Sequence, residues 1–195
     1  VVRNWDYSVD FTEEIEDQFK YSEYLGEGHN GIVYSLPDNR IIKIFREKKV
    51  CDEEIDILLR VKGSKFFPYI HSCGELYIIR DYVGGERLDK YIKDNGLNGE
   101  ICKSLLDMIN EFTRLSFTRI DIRCKDIYVQ EDMSVVIIDP KNNYTKTVRY
   151  PRHLMKGLYN LNALDVFFKY LSELDRQKYI LWKYKMGKYI KFSIK

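Results

Sequence analysis

The sequence predicts an α+β chain in two parts, β-rich as far as Val83 and mostly helical from Gly84 onward. Three observations predict it. A glycine-rich stretch, Gly26-Glu27-Gly28-His29-Asn30-Gly31-Ile32-Val33-Tyr34, turns at Pro37-Asp38-Asn39 into the apolar run Ile41-Ile42-Lys43-Ile44-Phe45, which reads as a glycine hairpin followed by a strand. Gly84-Gly85 then forms a natural hinge, because two successive glycines allow backbone angles that other residues resist. Beyond it, apolar residues recur at helical spacing over Arg87 to Asp94, Glu100 to Leu115 and Leu154 to Leu174, interrupted by one two-strand pattern.

Residues 1–20 form an acidic extension in which Asp10, Glu13, Glu14, Glu16 and Asp17 alternate with Phe11, Ile15 and Phe19. That pattern suits a short amphipathic helix packed on the first part, its acids being a solvated face in preference to a binding site. In the glycine stretch, the G-x-G-x-x-G spacing of Gly26, Gly28 and Gly31 also marks ordinary turns, so alone it carries little weight. Lys43 adds to it. Ile41 and Phe45 share its face of the strand and Ile42 and Ile44 take the other, so the ammonium has no wet face and needs an anion. A partner lies eleven residues on, in a helix-patterned run from Lys48 to Val61. Val50, Ile57, Leu58 and Val61 form its apolar side, Glu54 falls in the middle of that side, Glu53 sits at its edge, and Asp52 and Asp56 point away. Glu54 is therefore the carboxylate expected to meet Lys43; the alternative is a solvated acidic face that tolerates one inward Glu.

After the hinge, Ile101, Leu105, Met108, Ile109, Phe112 and Leu115 form a core stripe on the second helical pattern. The interrupting segment is Arg119-Ile120-Asp121-Ile122-Arg123-Cys124-Lys125-Asp126-Ile127-Tyr128-Val129, a polar turn at 131–134, and Val135-Val136-Ile137-Ile138-Asp139. It reads as a β-hairpin. With the turn centred on Asp132 and Met133, Asp126 and Asp139 face each other at the open end with α-carbons about 4.5–5.5 Å apart. Like charges opposed in this way ask for a cation, and Mg²⁺ or Mn²⁺ suits carboxylate oxygens. A register one residue away leaves two solvated aspartates instead.

Taken in order, these residues resemble the protein-kinase-like fold: glycine loop, strand Lys43, helix Glu54, a hinge at Arg80-Asp81-Tyr82-Val83-Gly84-Gly85, a catalytic loop around Asp121 and a metal aspartate, Asp139. The resemblance runs from about Tyr24 to Asn142. It implies two lobes, a β-rich N-lobe over residues 21–83 and a shortened, mostly helical C-lobe over residues 84–195, with ATP and Mg²⁺ or Mn²⁺ bound between them. In that arrangement Gly26, Gly28, Gly31 and Val33 cover the nucleotide, and Asp81 and Val83 belong to its hinge. Lys43 pairs with Glu54 and the α/β-phosphates, and Asp121 accepts or orients the proton of the attacking hydroxyl. Arg123 neutralises phosphate charge, while Asp126 and Asp139 hold the metal. The implied activity is transfer of the γ-phosphate to a Ser or Thr hydroxyl of a protein substrate, this chain included.

The departures from the family pattern are specific. Its H-R-D stands here as Arg119-Ile120-Asp121, its metal-binding Asn is Asp126, and its D-F-G is Asp139-Pro140-Lys141, which removes the Phe and Gly of a flipping switch. Arg80 takes a normally apolar position behind the adenine site, where it either narrows the pocket or engages a carboxylate. The stretch after Asp139 is short and lacks A-P-E, so the chain is most similar to minimal kinases of the RIO type and small bacterial Ser/Thr kinases. Two rivals stay open: a pseudokinase that binds and regulates without turnover, and a small-molecule kinase of the aminoglycoside or choline type.

Composition agrees with a folded, soluble domain: 45% hydrophobic and 14% aromatic residues are enough to bury a core. A net charge of +2 is too mild to argue for nucleic acid globally. Locally, Arg176 to Lys195 carries Lys and Arg but no acid, interleaved with Tyr179, Trp182, Tyr184, Tyr189 and Phe192. Such a tail binds nucleic acid or an anionic membrane, or packs its aromatics on the second part with lysine stems over them, which is the favoured reading. Lys141, Lys146, Arg149, Arg152 and Lys156 would dock an acidic or phosphorylated substrate. Four cysteines without C-x-x-C spacing and three scattered histidines give no zinc signature. No apolar run reaches the roughly 18–20 residues of a membrane span, and no signal-peptide pattern opens the chain. A reducing, cytoplasmic setting is expected, although the first residue is Val and a removed leader stays open.

Overall fold

The structure, a computed structural model, describes residue 9, residues 11–140 and residues 143–193. Asp10 and Lys141, named above for their charge, and the start of the acidic extension lie outside the described residues. The architecture is α+β and divides into two compact units, Val1–Val83 and Gly84–Lys195.

The first unit is built on a five-stranded antiparallel sheet in the order β1 (Tyr24–Gly28), β2 (Gly31–Leu36), β3 (Arg40–Phe45), β5 (Tyr77–Asp81), β4 (Ile70–Cys73). Strand alternation sorts its side chains into two faces. One carries Ile32, Tyr34, Ile42, Ile44, Tyr77 and Ile79 and packs against Val9, Phe11 and α1 (Glu13–Phe19), which contributes Ile15 and Phe19. Edge-on ring contacts of 5.0 Å between Phe19 and Tyr34 and 5.3 Å between Phe11 and Tyr77 lock this layer. Thr12 caps α1, its hydroxyl accepting from the Ile15 amide, and Glu13, Glu14 and Glu16 sit in the first turn where the helix dipole favours acids. The other face of the sheet carries Ile41, Lys43, Phe45, Ile78 and Arg80, and α2 (Lys48–Arg60) brings Cys51, Glu54, Ile57 and Leu58 into the interior.

Two backbone details shape this unit. Asp38 and Asn39 both adopt left-handed angles (φ 59° and 57°) in the β2–β3 turn, a conformation those residue types tolerate. At Gly31 a β-carbon would lie 1.9 Å from the Ile44 carbonyl oxygen, so only glycine lets β2 approach β3 there.

The second unit holds a three-stranded sheet, β6 (Glu86–Arg87), β7 (Ile127–Val129) and β8 (Val135–Ile137), with helices α3 (Leu88–Asn95), α4 (Gly99–Arg114), α5 (Arg152–Asn160), α6 (Leu164–Leu174) and α7 (Arg176–Ser193). Gly85 enters it at φ +79°, and a β-carbon there would meet the Val129 carbonyl oxygen at 2.2 Å. Asn98 caps α4 by accepting from the Ile101 amide at 2.9 Å, and Ile101, Cys102, Leu105, Leu106, Met108, Ile109 and Phe112 are buried as the core stripe, with Leu115 half-buried past the helix end. Leu154 to Leu174 resolves into two helices, α5 and α6.

The β7–β8 register differs from the expected one by a residue. Ile127 faces Ile137 and Val129 faces Val135, so Asp126 stands across from Ile138, whose amide donates to the Asp126 carbonyl at 3.2 Å. The cause is the turn: Met133 takes a left-handed angle (φ 62°) and Asp132 accepts from the Ser134 amide, giving a three-residue loop centred on Asp132.

The basic tail forms α7 and packs on α6 through buried Trp182 and Met186, with Tyr179 edge-on to Phe168 at 6.0 Å. Tyr184 and Phe192 remain exposed. Among the described residues no helix is long and apolar enough to cross a membrane.

Candidate functional site

Lys43 is 8% exposed, and its Nζ lies 2.5 Å from Glu54 Oε2 and 4.6 Å from the Phe45 ring centroid. Strand periodicity turns Lys43 inward, helical periodicity does the same for Glu54, and each charge finds in the other what burial requires. The glycine hairpin of β1 and β2 is tied down by Arg46, whose Nη1 donates to the Gly28 carbonyl at 2.6 Å and whose Nη2 pairs with Glu27. Gly26 and Gly28 have open space where a β-carbon would stand, so their backbone is approachable. Arg46 was not singled out by sequence reasoning, and its signal is only a cation one residue past the strand.

At the end of the first unit, Asp81 spends its carboxylate on β4, accepting from the Tyr69 amide at 2.9 Å and meeting His71 Nε2 at 2.7 Å. Arg80 is 6% exposed, and its Nη1 donates to the Asp81 carbonyl at 3.0 Å. Val83 is half-buried.

In the second unit, the strand-like segment before Asp121 is held by the segment after Asp139. The Thr118 and Arg119 amides donate to the Asn143 carbonyl, Ile120 donates to Val148, and Val148 donates back to Thr118. Asp121 follows, its side chain 1% exposed. Oδ1 accepts from the His153 amide at 2.7 Å and Oδ2 bonds the His153 ring at Nδ1. The carboxylate thus caps the first turn of α5 from a distance, and two hydrogen bonds with the helix dipole make its burial tolerable.

Asp126 is 9% exposed and bidentate with Arg123, at 2.6 Å to Nε and 2.9 Å to Nη2. The Asp126 carboxylate holds Arg123 above its ordinary pKa, and the Asp139 charge acts in the same direction. The expected register, with Asp126 directly opposite Asp139, is therefore corrected: Asp126 stands across from Ile138, and its carboxylate is bonded by Arg123, whose charge Asp139 also stabilises. Among the described residues no three His, Cys, Asp or Glu side chains form a metal cluster.

His153 was missed by sequence reasoning. It stands thirty-two residues after Asp121, and no spacing rule links them. Packing does: Cys124 Sγ contacts the Leu154 carbonyl at 3.6 Å, and a β-carbon on Gly157 would lie 2.5 Å from the same sulfur, so α5 sits tightly against the turn that carries Arg123. Burial pushes the Cys124 thiol up to about 12, which keeps it protonated and inert. A cavity of about 440 Å³ opens here, lined by Lys93, Arg123, Lys125, His153 and Lys156, with Asp89 as its acid. Arg87 chelates Asp89 at 3.0 and 2.7 Å and holds its carboxyl below the usual range.

No protein-family model matches the chain. A Bacillus subtilis (strain 168) protein, YrzF, provisionally named a serine/threonine-protein kinase, is 20% identical over 164 residues, covering 80% of this chain and 76% of its own length. An MRK1 homolog of Encephalitozoon cuniculi (strain GB-M1), likewise provisionally named a serine/threonine-protein kinase, is 29% identical over 113 residues, covering 51% of this chain and 35% of its own length. These similarities support a kinase-like relationship, and the α+β architecture is compatible with it.

Proposed function

We propose that the chain is a phosphotransferase that uses ATP with a divalent metal and passes the γ-phosphate to a Ser or Thr hydroxyl of a protein, itself included. The observation that carries this reading is the buried Lys43–Glu54 pair on the strand that follows an approachable glycine hairpin. A lysine paired with a carboxylate and fixed in an apolar sheet is the group a polyphosphate needs, and bare glycine backbone admits phosphate oxygens without a side chain between. Lys43, Gly26, Gly28, Gly31 and Val33 are the nucleotide contacts of the first unit, with Glu54 holding Lys43 in position. The Asp81 and Val83 backbone serves the base.

Asp126 and Asp139 supply hard oxygen donors, and one or two carboxylates with phosphate oxygens are the usual complement of Mg²⁺, so the donor set fits it or Mn²⁺. A metal held by these two carboxylates would supply positive charge against the phosphates. Arg123 then exchanges its bond to Asp126 for phosphate oxygens, one cation serving both the resting pair and the loaded site. Asp121 orders the loop toward the acceptor hydroxyl. The setting we propose is cytoplasmic and reducing, in keeping with four free cysteines.

A pseudokinase is the second reading, favoured by the engagement of Asp121 with His153 and of Asp126 with Arg123. Two measurements separate them. ATP with Mg²⁺ at a hundred times its Kd stabilises a binder by about 2.7 kcal/mol, seen as a raised melting temperature. Radiolabel transfer from γ-labelled ATP, lost in Asp121→Ala, then distinguishes turnover from binding. No melting shift and no transfer would sink both readings.

A further inference from the structure

We propose that the cation-rich cavity of the second unit receives the phosphate of a phosphorylated Ser or Thr in a polypeptide partner, a binding role that needs neither turnover nor the first unit. Three lysines from three separate elements line it: Lys93 from α3, Lys125 from the turn at Cys124–Asp126 and Lys156 from α5. Among the described residues none of these three ammonium groups is paired with a carboxylate. The other charges on the wall are already settled within the fold. Asp89, its one acid, is chelated by Arg87, and Arg123 is bonded at two points to Asp126. The three lysine charges are therefore left uncompensated around one concavity, whose low-dielectric walls strengthen their combined field.

The chemistry selects the ligand. A single carboxylate balances one lysine, whereas a phosphorylated side chain carries a charge of about −1.5 to −2 near neutral pH and offers three acceptor oxygens to several ammonium donors at once. The scaffold beneath the lysines is fixed: Cys124 Sγ lies 3.6 Å from the Leu154 carbonyl and fills the space beside Gly157. The turn that carries Lys125 and the helix that carries Lys156 thus keep their spacing, and little ordering of the backbone is left for binding to impose. The lining residues include no Phe, Tyr or Trp, so a nucleobase finds no aromatic face to stack on. A volume of about 440 Å³ is in the range that holds a whole small ligand, more than a lone phosphate fills, and the Asn160 amide on the same wall suits a peptide backbone.

The site differs from the basic cluster read along the sequence. Of Lys146, Arg149, Arg152 and Lys156, only Lys156 lines the cavity, and Arg152 is drawn aside over the Tyr189 ring at 5.4 Å. Lys93 and Lys125 belong to no local run of charge, and the fold alone brings them to the same wall.

The experiment is fluorescence anisotropy of a dye-labelled peptide library, with one fixed phosphoserine and degenerate flanks, titrated with the full chain in the absence of ATP. Expected is saturable binding that weakens by about tenfold or more when serine replaces the phosphoserine, and by at least as much in the triple variant Lys93→Ala, Lys125→Ala, Lys156→Ala, as the loss of hydrogen bonds to a charged group requires. A second triple variant, Lys183→Ala, Lys188→Ala, Lys191→Ala, removes the same charge from exposed positions of α7 and should bind within about twofold of the parent. An equal loss in both variants reduces the effect to net charge and overturns the proposal. So does the absence of saturation up to about 1 mM, the weak end of specific association. Inorganic phosphate binding as tightly as the phosphopeptide, or a single-stranded oligonucleotide binding more tightly, overturns the assignment to a polypeptide. If the cavity variant does not fold, amide shifts of the parent decide: the phosphopeptide should perturb residues 123–125 and 153–157, and perturbation confined to other residues overturns the proposal. Radiolabel transfer from ATP is read separately. A chain that transfers nothing but binds the phosphopeptide loses the phosphotransfer reading and keeps this one, and the reverse result removes this one alone.

Discussion

Replacing Glu54 by Gln tests the central electrostatic claim about the first unit, because it keeps the shape of the side chain and deletes its charge. Lys43 Nζ and Glu54 Oε2 are 2.5 Å apart with side chains 10% and 3% exposed. At an effective dielectric of ~20 that separation corresponds to an attraction of about 7 kcal/mol. Desolvating two ions consumes several kcal/mol each, so the pair as a whole contributes little beyond an apolar pair, but removing one partner strands the other. Glu54→Gln is therefore expected to cost about 3–5 kcal/mol, Lys43→Met a similar amount, and the double change Lys43→Met with Glu54→Leu far less than their sum. Urea unfolding of the full chain, combined with native-state hydrogen exchange at the β3 amides, reads these costs in the unit where they arise. A cost for Glu54→Gln below about 1 kcal/mol, the range of exposed ion pairs, would refute the reasoning, as would strict additivity in the double variant.

Three further outcomes follow from the geometry. Gly31→Ala drives a methyl against the Ile44 carbonyl and should cost stability by several kcal/mol, on the order of the severe steric class, whereas Gly26→Ala meets open space and should stay within about 0.5 kcal/mol while weakening ATP binding in a melting-shift titration. Burial pushes the Cys51, Cys102 and Cys124 thiols up to about 12, and Cys73 is exposed, so a thiol reagent should label one cysteine rapidly in the native chain and all four in denaturant; fast labelling of a second would contradict the packing. Asp89 has its folded pKa depressed by the Arg87 hydrogen bonds, so its contribution is full above the ordinary Asp range and is lost as pH falls through the depressed value. With both side chains partly exposed it amounts to about 1 kcal/mol or less. Parent and Asp89→Asn should differ in urea midpoint near neutral pH and converge in acid, and a gap that persists in acid would count against the pair.

The most legible parts of the molecule were those whose environment is written in a local repeat. Lys43 sits in an apolar run with no polar side, and Glu54 in the middle of a helical stripe, so the period of each element turned both inward before any partner was known. The helices of the second unit were legible for the same reason, with boundaries displaced by a residue or two at caps such as Asn98. Asp126 shows where this reasoning stops. Its partner depended on a hairpin register, and the register depended on Met133 accepting a left-handed angle, which its residue type does not advertise.

What the sequence alone determined is the α+β class, the inward ammonium and its carboxylate, and the helical core stripes, because strand and helix periods act over a handful of residues. Only the tertiary structure decided that Arg123 bonds Asp126 and is stabilised by Asp139, that Arg80 turns onto a backbone carbonyl, and that Asp121 reaches a histidine on a distant helix. Those pairings join residues whose meeting is set by how turns and helices pack, and packing has no period that can be read along a chain.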